Sequence, residues 1–158
     1  MTVTRYSARK GFTLVEILIV VIILGILAAI VIPQFTNASQ DARKSSLKST
    51  VQSVRSQIEL YKLEHGDQLP AIVGNAADNS HWNPLTTVTV YNGNNFGPYM
   101  HTPPKNGMTD TSSVVDGDGT AAPGATDGFV YDYAGGNGTG RFFGVEKDAA
   151  GVVTIQRD

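Results

Sequence analysis

The sequence predicts an α+β protein in which one long N-terminal helix packs on a small antiparallel sheet. Three observations predict it. Residues 12 to 32 form a 21-residue apolar run with a single charge, Glu16; an amphipathic segment follows without a break; and 15 of the 17 glycines fall after residue 65, among short alternating runs. The averages hide this uneven placement. The 158 residues carry 12 basic and 14 acidic side chains, a net charge of -2 that gives no reason to expect nucleic acid or another polyanion as a partner. There is no cysteine, which excludes disulfide frameworks, thiol nucleophiles and thiolate metal sites.

As a helix, the run from Phe12 to Ile32 is about 31 Å long at 1.5 Å per residue, enough to cross the hydrocarbon core of a bilayer. Before it lies a short head, residues 1–11, with Arg5, Arg9, Lys10 and no acid. Cations abutting the span favour a cytoplasmic N-terminus. Arg43, Lys44 and Lys48 follow on the other side, but they lie farther from the run and Asp41 partly offsets them. A secretory signal would have a shorter apolar region and then a small-residue cleavage site. Here the helical pattern continues instead.

The continuation, residues 34–65, carries one apolar stripe: Leu47, Val51, Val54, Ile58 and Tyr61 succeed one another at helical spacing, while Lys48, Arg55, Gln57, Glu59 and Lys62 fall elsewhere. Gly66 can take the left-handed conformation that ends a helix, and Pro70 cannot resume one. Pro33 removes a backbone donor and is expected to kink the junction between the two halves. A half-helix this long needs its stripe covered.

The cover comes from residues 66–158. Thr86 to Tyr91 alternates, with Val88 and Val90 on one face; Phe129, Tyr131 and Tyr133 alternate on a second run. A turn at Gly135-Gly136-Asn137-Gly138, a run from Arg141 to Lys147, a turn at Asp148 to Gly151 and a run from Val152 to Gln156 complete an antiparallel meander. Trp82 is expected to anchor a loop on the core. His65, His81 and His101 are expected to be ordinary surface residues.

Motifs for chemistry are absent: there is no G-x-S-x-G elbow, no Walker loop and no H-E-x-x-H. The glycine-rich stretch 135–140 sits between two strands with no helix after it, so it reads as a hairpin turn and not a phosphate loop. Residues 106–128 contain Asp110, Asp116, Asp118 and Asp127 without Lys or Arg. Such a loop either stays solvated or recruits a cation. Asp116, Asp118 and Asp127 partly imitate an EF-hand loop, but Thr120, Ala121 and Asp127 stand where that motif is strict, so a calcium site here would be an irregular one.

Arg9-Lys10-Gly11-Phe12-Thr13-Leu14-Val15-Glu16 joins a basic head, a glycine, an aromatic and an acid. This resembles the class III signal of type IV pilins and type II secretion pseudopilins, and the following ILIVVIILGILAAIVIPQF is similar to the family helix, including Gly25 and Pro33. The resemblance implies that a prepilin peptidase cuts after Gly11 and methylates the new amine of Phe12, leaving 147 of the 158 residues. It implies four parts: a leader at 1–11, a transmembrane and assembly helix at 12–33, an amphipathic helix at 34–65, and a periplasmic loop and strand region at 66–158. A carboxylate in an apolar helix is costly, so Glu16 either snorkels to the membrane edge or pairs with the N-terminal ammonium of a neighbouring subunit. Gly25 and Pro33 either permit close packing or bound a stretch that loosens on assembly.

In function the resemblance implies a structural subunit and not an enzyme, anchored in a bacterial inner membrane. Its expected partners are copies of itself, minor pseudopilins, the prepilin peptidase, an inner-membrane assembly platform and lipid. Two readings stay open: a type II secretion pseudopilin, favoured by the short chain and the missing cysteine pair, and a type IV pilin of a surface fibre. Major pseudopilins bind calcium in a C-terminal loop, which is the second reason to weigh calcium here.

Overall fold

A computed structural model describes residues 11–75, 78–148 and 150–156. The chain divides into two units, Met1–Ser39 and Gln40–Asp158. Helix α1, Leu14–Glu64, begins in the first and ends in the second, and it contains Pro33. In the first unit no described side chain is buried, and large apolar residues such as Ile17, Leu24 and Ile30 are all more than half exposed. This stretch is long and apolar enough to cross a membrane.

In the second unit the expected stripe is the buried face of α1: Leu47, Val51, Val54 and Ile58 are buried and Tyr61 is half-buried. The helix stops as its sequence requires. Gly66 takes a positive φ of 61°, and the Asp67 N–H returns to the Lys62 carbonyl at 2.8 Å, the long bond of a Schellman turn.

The sheet has four strands in sequence order: β3 (Val114–Asp116), β4 (Phe129–Tyr131), β5 (Phe142–Lys147) and β6 (Val153–Ile155). Strands β4, β5 and β6 form the predicted meander, with Phe129 opposite Gly144 and Val145 opposite Ile155. The sheet is nevertheless mixed. Strand β3 pairs parallel to β4, Val114 beside Phe129, and it arises inside the segment read as an acidic loop. That strand escaped the sequence because its three residues have a single fully buried member, Val114. Strand β4 differs from the alternating pattern too. Phe129, Val130 and Tyr131 are all buried, since Val130 joins Phe143 and Val145 on the face away from α1; Tyr133 lies beyond the strand.

Half of the run Thr86–Tyr91 is strand. This is β1 (Thr89–Tyr91), and it pairs with β2 (Asn94–Phe96) across Asn92-Gly93 as a separate two-stranded sheet. Val88 and Val90 are 56% and 69% exposed, so the expected apolar face looks outward. A short 3-10 turn, Ser80–Trp82, and helix α2, Asn83–Thr86, precede it. Trp82 anchors this region as expected: it is fully buried, meets Phe129 and Phe142 edge to face, and donates its Nε1–H to the Ser112 carbonyl at 2.8 Å.

Two residues show how closely the second unit is packed. A Cβ on Gly144 would stand 2.9 Å from Leu47, so glycine is what lets β5 approach α1. Asn106, fully buried, donates from Nδ2 to the carbonyls of Gly128 at 2.6 Å and Val145 at 2.7 Å, while its Oδ1 accepts the Met108 N–H at 2.8 Å. A buried amide so satisfied fixes the loop before β3 to both β4 and β5.

Candidate functional site at the start of the helix

The first described residues lead into α1. Phe12 is 85% exposed, and a Cβ on Gly11 or on Gly25 would meet no heavy atom within 4 Å. Neither glycine is demanded by contacts within the described chain. Residues 1–10, the rest of the expected leader, lie outside the described residues.

Thr13 is the N-cap of α1 and Glu16 is its third helical residue, and the two satisfy each other. The Glu16 N–H donates to Thr13 Oγ1 at 3.2 Å; the Thr13 N–H and hydroxyl donate to Glu16 Oε2 at 2.8 and 2.7 Å. This reciprocal capping box answers donors that a helix start otherwise leaves open, and it holds a carboxylate at the positive end of the helix. Reading the sequence for charge alone missed it, though Thr13-Leu14-Val15-Glu16 has the spacing of the motif. Oε1 of Glu16 accepts no hydrogen bond from any described residue.

The three aspartates considered for calcium serve different turns. Asp116 Oδ1 accepts the N–H groups of Tyr133 at 3.1 Å and Ala134 at 3.0 Å. Asp118 Oδ1 accepts the hydroxyl and N–H of Thr120, and these bonds hold its carboxyl below the usual carboxylate range. Asp127 Oδ2 accepts the Gly124 N–H at 2.6 Å. Among the described residues no three His, Asp or Glu side chains converge as a metal site.

The histidines depart from expectation at one position. His101 is exposed and His81 half-buried, but His65 is buried. Its ring stacks on Tyr61 at 3.8 Å and lies 5.4 Å from both Tyr91 and Phe96, with Nε2 3.0 Å from Thr89 Oγ1 and Nδ1 3.0 Å from the Tyr61 carbonyl. It therefore ties the end of α1 to the β1–β2 hairpin. Beside it Tyr99 donates to Glu64 Oε2 at 2.6 Å; burial first, and then that bond, push its phenol up. A histidine adjacent to a C-terminal glycine stop looks like a surface residue until the aromatic partners from residues 91–99 are placed around it.

Residues 6–32 match the family described as the prokaryotic N-terminal methylation motif. The chain is 40% identical over 57 residues to the type II secretion system core protein G of Pseudomonas aeruginosa, covering 36% of this chain and 40% of that one. It is 35% identical over 90 residues to the type IV major pilin protein PilE1 of Neisseria gonorrhoeae, covering 55% and 42%. It is 40% identical over 64 residues to the competence protein ComGC of Bacillus subtilis, covering 40% and 65%. The matched stretch thus spans well under half the length of the type II secretion relatives. No solved structure matches the chain.

Proposed function

We propose that the chain, which over its N-terminal part is similar to type II secretion core proteins G, is a structural subunit of a type II secretion pseudopilus that drives protein export. Its work in this reading is polymerisation and not catalysis. The observation that carries it is Glu16, the single charge in the apolar run from Phe12 to Ile32, four residues after Phe12. On translocon scales an Asp at the bilayer centre costs about 2.5 to 3.5 kcal/mol and less near an edge, so the group needs a compensating role. The capping box supplies part of it, using Oε2 alone. Cleavage after Gly11 would make Phe12 an ammonium, and Oε1 is left to accept that cation from a staggered neighbour. One carboxylate would then cap its own helix and fix the axial register of the next subunit.

Before assembly the subunit sits in the inner membrane as a single span, with the second unit in the periplasm. Copies of itself, minor pseudopilins, the prepilin peptidase and an inner-membrane assembly platform are the partners this role requires. Similarity to the Neisseria major pilin supports a second reading, a type IV pilin of a surface fibre for adhesion, motility or DNA uptake. Deleting the gene and assaying both exoprotein release and surface fibres separates the two. Loss of secretion with no change in surface fibres is the expected result, and lost fibres with intact secretion would favour the pilin.

A further inference from the structure

Three Asn-Gly steps occur in the chain, Asn92-Gly93, Asn106-Gly107 and Asn137-Gly138, and the fold treats each differently. An asparagine before glycine can cyclise. The glycine main-chain nitrogen attacks the side-chain Cγ, the amide nitrogen leaves as ammonia, and water reopens the resulting succinimide to aspartate or isoaspartate. One C–N bond forms as another breaks, and nothing is oxidised or reduced. The reaction needs a side chain able to swing onto the backbone and a glycine N–H able to give up its proton.

Asn106 lacks the first of these freedoms, whatever its glycine N–H allows. It is fully buried, both its amide oxygen and nitrogen are bonded, and moving it would break the clamp on β4 and β5. Asn137 is exposed, but the Gly138 N–H is held by the Tyr133 carbonyl at 2.9 Å, and Gly138 is pressed against the Asp132 backbone. Asn92 is exposed at the tip of the β1–β2 hairpin, and neither its side chain nor the Gly93 N–H bonds to any described residue. Space around Gly93 is open, with nothing within 4 Å of a Cβ there.

We propose that Asn92 is a site of spontaneous deamidation, with water as the only co-reactant. Either product adds a negative charge to a chain of net charge -2. Isoaspartate also lengthens the main chain by a methylene within a two-residue turn, which disrupts the facing of Tyr91 and Asn94. The damage would reach inward, because Tyr91 and Phe96 flank buried His65.

The test incubates the full chain in detergent at mildly alkaline pH and follows all three sites by peptide mass spectrometry, with isoaspartate resolved from aspartate. A parallel arm in concentrated urea removes the fold. In the folded arm Asn92 should convert at least about tenfold faster than Asn106, since Asn106 must wait for the core to open, with Asn137 between them. In urea the spread between the sites should collapse. Folded-state conversion of Asn92 no faster than that of Asn106 would overturn the proposal. A preference for Asn92 that persists undiminished in urea would overturn it too, by showing that local sequence and not the fold selects the site.

Discussion

Helix α1 contains two stretches that obey the same backbone rules and meet opposite fates. From Leu14 to Ser39 no side chain is buried; from Gln40 to Glu64 four apolar side chains are, all on one stripe. The first stretch is the more apolar by far, yet the second is the one the chain itself covers. Hydrophobicity alone therefore does not decide what a protein buries within one copy. A stripe can be matched by a small sheet, whereas a helix apolar on all sides needs a surrounding solvent of lipid or other helices.

Removing the one acid from the uncovered stretch should have the largest effect. Glu16→Leu is expected to insert in membranes normally and to abolish filament formation, read as filament yield in sheared or cross-linked fractions. Normal yield would end the pairing argument. Thr13→Ala, which removes only the hydroxyl half of the capping box, should cost the helix start about 0.5 to 2 kcal/mol and reduce assembly without abolishing it.

Core changes sharpen the contrast from the other side. Ile58→Ala should destabilise a protein lacking residues 1–39 by about 2 to 5 kcal/mol in denaturant melts, whereas Ile23→Ala in the full chain should leave the second unit's melt unchanged. That truncated protein is expected to be a soluble monomer by size-exclusion chromatography, since it loses the uncovered stretch and keeps the stripe with its sheet. Aggregation would place the boundary elsewhere. Gly144→Val should cost about 1 to 3 kcal/mol by forcing β5 off Leu47.

A smaller effect concerns pH. Burial pushes the Tyr131 phenol up, and its hydroxyl has no hydrogen-bond partner among the described residues. A phenol raised in the folded state binds its proton more tightly there than in the unfolded chain. Its contribution to stability is complete below the unfolded value of about 10 and is lost as pH rises above it. Unfolding midpoints should therefore fall above that pH, and Tyr131→Phe should flatten the fall. The smallest expected effect is that of calcium. Asp116, Asp118 and Asp127 would have to leave three separate turns to share an ion, so melts of the truncated protein with about 1 mM calcium and with chelator should coincide. A clear upward shift with calcium would show that the loop rearranges into a site.

Much of the molecule was legible in linear order. The span, the stripe Leu47 to Ile58, the stop at Gly66 and the meander β4 to β6 are local patterns, because helix period, strand alternation and glycine's left-handed conformation are properties of neighbouring residues. The motif around Gly11, Phe12 and Glu16 was legible for the same reason. What tertiary structure alone decided are the features built by distant pairs: β3 running parallel to β4, Val130 buried on a second face, His65 enclosed by rings from residues 91–99, and Asn106 clamping two strands. Strand β3 is three residues in a segment whose glycines and aspartates read as loop, and a polar residue's burial depends on partners that sequence neighbours cannot reveal. Local sequence therefore determined the long helix, its stop and the meander, while the fold decided where β3 formed and which polar groups became interior, since only assembled neighbours can replace the water each one loses.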